Sequence, residues 1–121
     1  MKYLLMIYLD PAAAPANGSP EQEAEHANWM SYSQELAESG ILLGGDALQE
    51  TETATTVRVR GGDVLTTDGP FAETKEILGG YYLIDVEGLD QALGWASRAP
   101  HIAYGSVELR PVREFAMEPP S

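Results

Sequence analysis

Lys2-Tyr3-Leu4-Leu5-Met6-Ile7-Tyr8-Leu9 is apolar at every position after its lysine. Read as a strand, it sends Tyr3, Leu5 and Ile7 to one side and Leu4, Met6 and Tyr8 to the other. A strand with one wet face alternates apolar with polar residues, and this one does not. One layer of helices covers only one side of such a strand, so the other side needs a cover of its own. The run also imitates a signal peptide, because Lys2 precedes it and Ala12-Ala13-Ala14-Pro15-Ala16 follows. It is short for that purpose, and Asp10 interrupts the approach to the alanines. A buried strand in a cytoplasmic protein is therefore the expectation.

Residues 10–20 form a Pro/Ala/Gly-rich loop that ends in Ser19-Pro20-Glu21-Gln22. Ser19 is placed to cap a helix, Pro20 suits its first position, and Gln22 completes a capping box. The helix should run to about Ser39 and stop at Gly40. At 100° per residue Trp29, Met30, Tyr32, Leu36 and Ala37 share one arc, with His26 and Ser33 inside it. Downstream, Ile41-Leu42-Leu43 begins a second strand, with Gly44-Gly45 read as a bend behind it. Residues 55–60 and 64–67 flank Gly61-Gly62-Asp63 as a hairpin that sets Arg60 opposite Asp63. Tyr81 to Val86 is a further strand, and Leu89 to about Arg98 a short helix burying Leu89, Ala92, Leu93 and Ala96, with Trp95 off that stripe. Ser106 to Val112 closes the domain, and residues 114–121 are expected to be a flexible tail.

The order is strand, helix, two or three strands, helix, strand. It predicts one α+β domain over residues 1–121, with a ferredoxin-like split βαβ sheet and both helices on one face. Leu5 or Leu4, Leu83 and Val107 would then line the open face. A second copy is the direct cover for it, so a homodimer is expected.

Composition removes whole classes of function. There is no cysteine, hence no thiol catalysis, Cys-ligated zinc or disulfide scaffold. Nineteen acidic against seven basic residues give a net charge of −12, which repels nucleic acid and anionic membranes. No apolar run approaches the ~20 residues of a membrane helix. Phosphate loops, dinucleotide fingerprints, Gly-x-Ser-x-Gly elbows and His-x-x-x-His spacing are missing. No metal and no cofactor are expected.

The stretch Thr66-Thr67-Asp68-Gly69-Pro70-Phe71-Ala72-Glu73-Thr74-Lys75-Glu76 carries more than turn chemistry demands. With Gly79-Gly80-Tyr81-Tyr82-Leu83-Ile84 and residues 105–112, it resembles the DGPF-type branch of the YCII-related family, from Lys2 to Val112. The resemblance implies dimeric α+β barrels with clefts between sheet, helix and loop, and no settled reaction. It implies a pocket bordered by the 68–76 loop, where a small molecule would bind. It also implies a regulatory alternative, since such proteins are often encoded beside extracytoplasmic-function sigma factors. The second function class is accordingly a protein-interaction module.

Candidate catalytic residues are Asp68 and His101. His101 is either a loop histidine bonded to a neighbouring carbonyl or an acid–base imidazole oriented by Asp68 in the cleft. Asp68 is either the acceptor of its own turn or part of that pair. Ligand-binding candidates are Phe71, Glu73, Lys75, Tyr81 and Arg110. Phe71 also reads as the anchor of its loop, and Glu73 and Lys75 as a solvated loop face. Arg110 would hold an anionic group bidentately, or pair with Asp85 or a partner's glutamate. In related proteins a first-helix histidine has been suggested as half of a catalytic dyad. Counting back from Gly40 puts that position at Trp29, so the dyad is not carried over to His26, which reads as a core-edge residue bonded to Ser33 or to backbone.

Overall fold

In a computed structural model that describes residues 1–70 and 74–115, the chain forms six strands and two helices. They are β1 (Lys2–Leu9), α1 (Pro20–Glu38), β2 (Leu42–Ala47), β3 (Thr55–Arg60), β4 (Asp63–Asp68), β5 (Ile77–Asp85), α2 (Leu89–Ala96) and β6 (Gly105–Pro111). The main sheet has the order β2-β5-β1-β6 and is antiparallel throughout. This is the expected ferredoxin-like split βαβ arrangement. Of the four strands between the helices only β2 and β5 join it, while β3 and β4 pair separately as a hairpin.

Tyr3, Leu5 and Ile7 of β1 are buried together with Tyr32 and Leu36 of α1, Ile84 of β5, and Ala92 and Ala96 of α2. Leu4, Met6 and Tyr8 face the other way and are only half-buried. The register assigns their companions: Leu83 and Arg110 lie opposite Leu4, and Tyr81 and Glu108 opposite Met6. Leu83 therefore lies on the open face as expected, beside Leu4 rather than Leu5. Val107 does not, because it lies opposite Ile7 and packs against the core with Leu109. At β6 the open face is polar, carrying Ser106, Glu108 and Arg110.

Three local readings change for physical reasons. Gly44 and Gly45 do not end β2; the strand continues through them, with a register shift between Leu42 and Gly44. A Cβ on Gly45 would come within 2.7 Å of the Tyr81 carbonyl oxygen, so glycine there permits a close strand pair. In α2, Leu89 and Leu93 are exposed, whereas Trp95 packs on the core and meets Tyr32 edge-on at 5.9 Å. In α1, Met30 and Ala37 are exposed although they share the apolar arc. Start and stop of that helix are as expected: Ser19 Oγ accepts from Gln22 N at 3.1 Å, and Gly40 has φ +79°. Gln22 returns its bond one residue early, accepting from Gly18 N at 2.7 Å.

Candidate functional site

The sheet lacks side-chain volume where the first half of α1 crosses it. Gly45 and Ala47 of β2 and Gly79 and Gly80 of β5 sit there together, and β1 and β5 shift register beside Gly79. Tyr32 and Leu36, further along α1, meet the sheet directly and are buried. Nearer its start the helix is held off, and a cavity of about 350 Å³ opens beneath it.

The helix side of this cavity is His26, Trp29, Met30 and Ser33, spaced i, i+3, i+4, i+7 on one face. Ile7, Leu9, Asp46, Tyr81 and Tyr82 complete the described lining with the small residues. Trp29 and Tyr82 lie almost parallel, 23° between planes with centroids 6.4 Å apart. Ser33 Oγ and the Tyr82 hydroxyl hydrogen-bond at 2.6 Å. Tyr81 donates to Asp46 Oδ2 at 2.7 Å, and that bond to a carboxylate raises its pKa. Tyr32, behind this wall, donates to the Trp95 carbonyl at 2.7 Å, and burial raises its pKa well above the ordinary phenol value. No lysine or arginine is among the described lining residues.

The sequence candidates fall in different places. His101 is fully buried between α2 and β6. Its Nε2 lies 3.0 Å from the Ser106 carbonyl oxygen, which can only accept, so the ring proton is on Nε2. Nδ1 is buried without a hydrogen-bond partner among the described residues. Trp29 covers the ring at 5.3 Å and Tyr104 meets its edge at 6.2 Å. Tyr104 in turn donates to Glu25, and its pKa is raised first by burial and then by that bond. His101 is thus the carbonyl-bonded loop histidine of the two readings. Asp68 is the exposed last residue of β4, opposite Thr55, and makes no hydrogen bond to His101.

The ligand-binding candidates separate likewise. Tyr81 borders the cavity, but it lies opposite Met6, so its side chain is on the open face, where it bonds Asp46. Lys75 is exposed and 3.7 Å from Asp10 Oδ2, which ties the end of its loop to the end of β1. Arg110 pairs at 3.7 Å with Glu108 two residues earlier on its own strand, not with Asp85, which holds the N-terminal amine at 3.2 Å. Phe71 and Glu73 lie outside the described residues, as does the tail from residue 116. None of the described residues of the 68–76 loop lines this cavity, which lies under α1.

Sequence reasoning missed Trp29, Ser33 and Tyr82 as a site, and left the role of His26 open. The available signal was the apolar arc itself: its His, Met and Ser members recur opposite a strand segment made of glycines. His26 does not bond Ser33, whose hydroxyl is taken by Tyr82. Among the described residues no group of three His, Asp or Glu could hold a metal ion. No helix among the described residues is long and apolar enough to cross a membrane.

Comparison with known proteins agrees with this architecture. A solved structure of 5-chloro-2-hydroxyhydroquinone dehydrochlorinase (TftG) from Burkholderia phenoliruptrix AC1100, in complex with 2,5-dihydroxybenzoquinone, superposes with a TM-score of 0.51. The match covers 95% of this chain and 96% of that one at 12% identity, a likeness of fold. An uncharacterized protein of Rhizobium meliloti (strain 1021) is 36% identical over 114 residues, 93% of this chain and 92% of its own length. The model of the YCII-related domain matches residues 1–116, and the chain belongs to that family.

Proposed function

We propose that this protein binds a small, uncharged and largely apolar molecule in the cavity between α1 and the sheet. The observation that carries this reading is the lining: Trp29 and Tyr82 above a bare glycine floor, with polar side-chain atoms at His26 and the Ser33–Tyr82 pair. Ligand cavities combine apolar walls with a few convergent polar groups in this way. An anion would lose its hydration without meeting a cation among the described lining residues. The aromatic quinone in the structural relative's complex is in keeping with such an occupant.

A second reading, a protein-interaction module, is favoured by the β3–β4 hairpin, where Val57, Val59 and Val64 are more than half exposed. Thermal unfolding with a panel of neutral metabolites and matched anions separates the two. Ligands of the cavity should raise the Tm of the wild type with concentration. They should not do so in Ala47→Leu, whose larger side chain fills the floor. A panel that shifts neither protein, or both alike, counts against the cavity.

A further inference from the structure

We infer that His101, outside the cavity, is a positioning residue for its wall: the imidazole holds the Trp29 ring in place and thereby sets how large a ligand the space under α1 admits. This rests on the reading of the cavity as a ligand site and adds to it a determinant of size.

The contact is direct. Trp29 lines the cavity and His101 is not among its described lining residues, so the imidazole meets Trp29 from behind the wall. The two rings are tilted by 31° with centroids 5.3 Å apart, within the range of offset aromatic stacking. Trp29 also lies 6.4 Å from Tyr82. Tyr82 belongs to β5 and His101 is bonded to Ser106 of β6, the two strands that flank β1. The indole is therefore supported from the β5 side and from the β6 side.

The support behind it is rigid. His101 sits in a tight turn after α2, where Ile102 N donates to the Ala99 carbonyl and Tyr104 N to the His101 carbonyl, both at 3.0 Å. The imidazole is fully buried, its Nε2–H is spent on the Ser106 carbonyl, and it packs so closely on Gly105 that a Cβ there would lie 2.4 Å from Cδ2. A ring so enclosed cannot turn aside without leaving a buried carbonyl unpaired.

The same turn is tied to α1 a second time. Tyr104 meets the edge of His101 at 6.2 Å and donates to Glu25. Glu25 precedes Trp29 by four residues, one turn away on the same helix face. Glu25, Tyr104, His101 and Trp29 thus close a ring of contacts, two members on the helix and two on the turn. His26 and Met30, exposed, have room to give way to a larger ligand, and Trp29 does not. At about 350 Å³ the space is near the ~300 Å³ lower end of ligand cavities, so a fixed wall works against a second fused ring.

Trp29 emission in Trp95→Phe protein reports the wall, and three further substitutions separate the ring of His101 from its bond. His101→Phe keeps a ring against Trp29 and loses the bond to Ser106. His101→Gln keeps a donor for Ser106 and loses the ring; His101→Leu loses both and is the second route if His101→Gln folds poorly. Loss of the ring should make Trp29 more open to acrylamide quenching before any ligand is added. It should also shift the affinity ratio of 1-naphthol to phenol roughly fivefold towards naphthol, as the overpacking strain of the second ring is relieved. His101→Phe should keep the wild-type quenching and ratio even where urea unfolding shows it to be less stable. A purely structural role gives the opposite pattern, with changes that follow the lost bond and the lost stability. That pattern, or unchanged quenching or an unchanged ratio in His101→Gln and His101→Leu, overturns the inference. Binding with an unchanged ratio fails the size rule alone, whereas a wild type that binds neither probe fails the cavity reading and the size rule with it.

Discussion

Gly105 shows how closely single residues are fitted here. A Cβ at this position would lie 2.4 Å from His101 Cδ2 and 2.4 Å from the Tyr8 carbonyl oxygen. Both neighbours are fixed, one by burial and the Ser106 bond, the other by the β1–β6 ladder. Gly105→Ala should therefore destabilise by about 1–3 kcal/mol, the usual cost of overpacking. Gly44 has nothing within 4 Å of a built Cβ and no positive φ, so Gly44→Ala should change stability by less than about 0.5 kcal/mol. Urea unfolding of the two variants checks the contrast. Equal losses would mean that His101 and Tyr8 yield more than their packing implies. At this scale the sequence was least informative. His101 looks like a loop residue by its neighbours Pro100 and Tyr104, and only the return of β6 against α2 seals it in. Asp68 looks like a partner for it by chemistry, yet it ends a hairpin outside the main sheet.

Among elements, α1 was legible because its signals are local: a serine cap, a proline at the first position and a glycine just beyond the end. The hydrophobic face of α1 was legible only in part. Tyr32 and Leu36 are buried as the periodicity requires, but His26 and Met30 stand over glycines of β2 and β5, and helical periodicity carries no information about the opposing strand. The β3–β4 hairpin is the reverse case, its turn and register plain from Gly61-Gly62 and its detachment from the sheet invisible. It is fastened near its base by Gly69 N donating to the Ala54 carbonyl at 2.7 Å and Thr56 Oγ1 to the Gly69 carbonyl at 2.9 Å. Two-stranded hairpins are marginal without further packing. Its amides, at residues 57–66, should exchange with deuterium well before those of β1, which is bonded on both sides. Protection equal to that of β1 would mean that the valine face is covered in solution, in favour of the interaction reading.

The whole molecule leaves one sheet face half-clothed. Leu4, Met6, Tyr8 and Leu83 lie on it with no helix above them, flanked by Glu108 and Arg110. We propose that a second copy covers this face about a two-fold axis, the commonest closed arrangement. Sedimentation at micromolar concentration should then give twice the 13.1 kDa chain mass. A folded monomer would refute it. The two-sided apolar pattern of β1 pointed to this face, while the contribution of β6 was misjudged because Val107 and Leu109 alternate the other way.

The claim on which the functional account depends is that the space beneath α1 receives a ligand. Its most direct test is an NMR map of methyl and ring resonances as phenol is added. The account predicts that shifts concentrate at Ile7, Trp29, Met30, Ala47 and Tyr82, with Val57, Val59 and Val64 unmoved. Shifts confined to those hairpin valines, with the cavity residues silent, would contradict it.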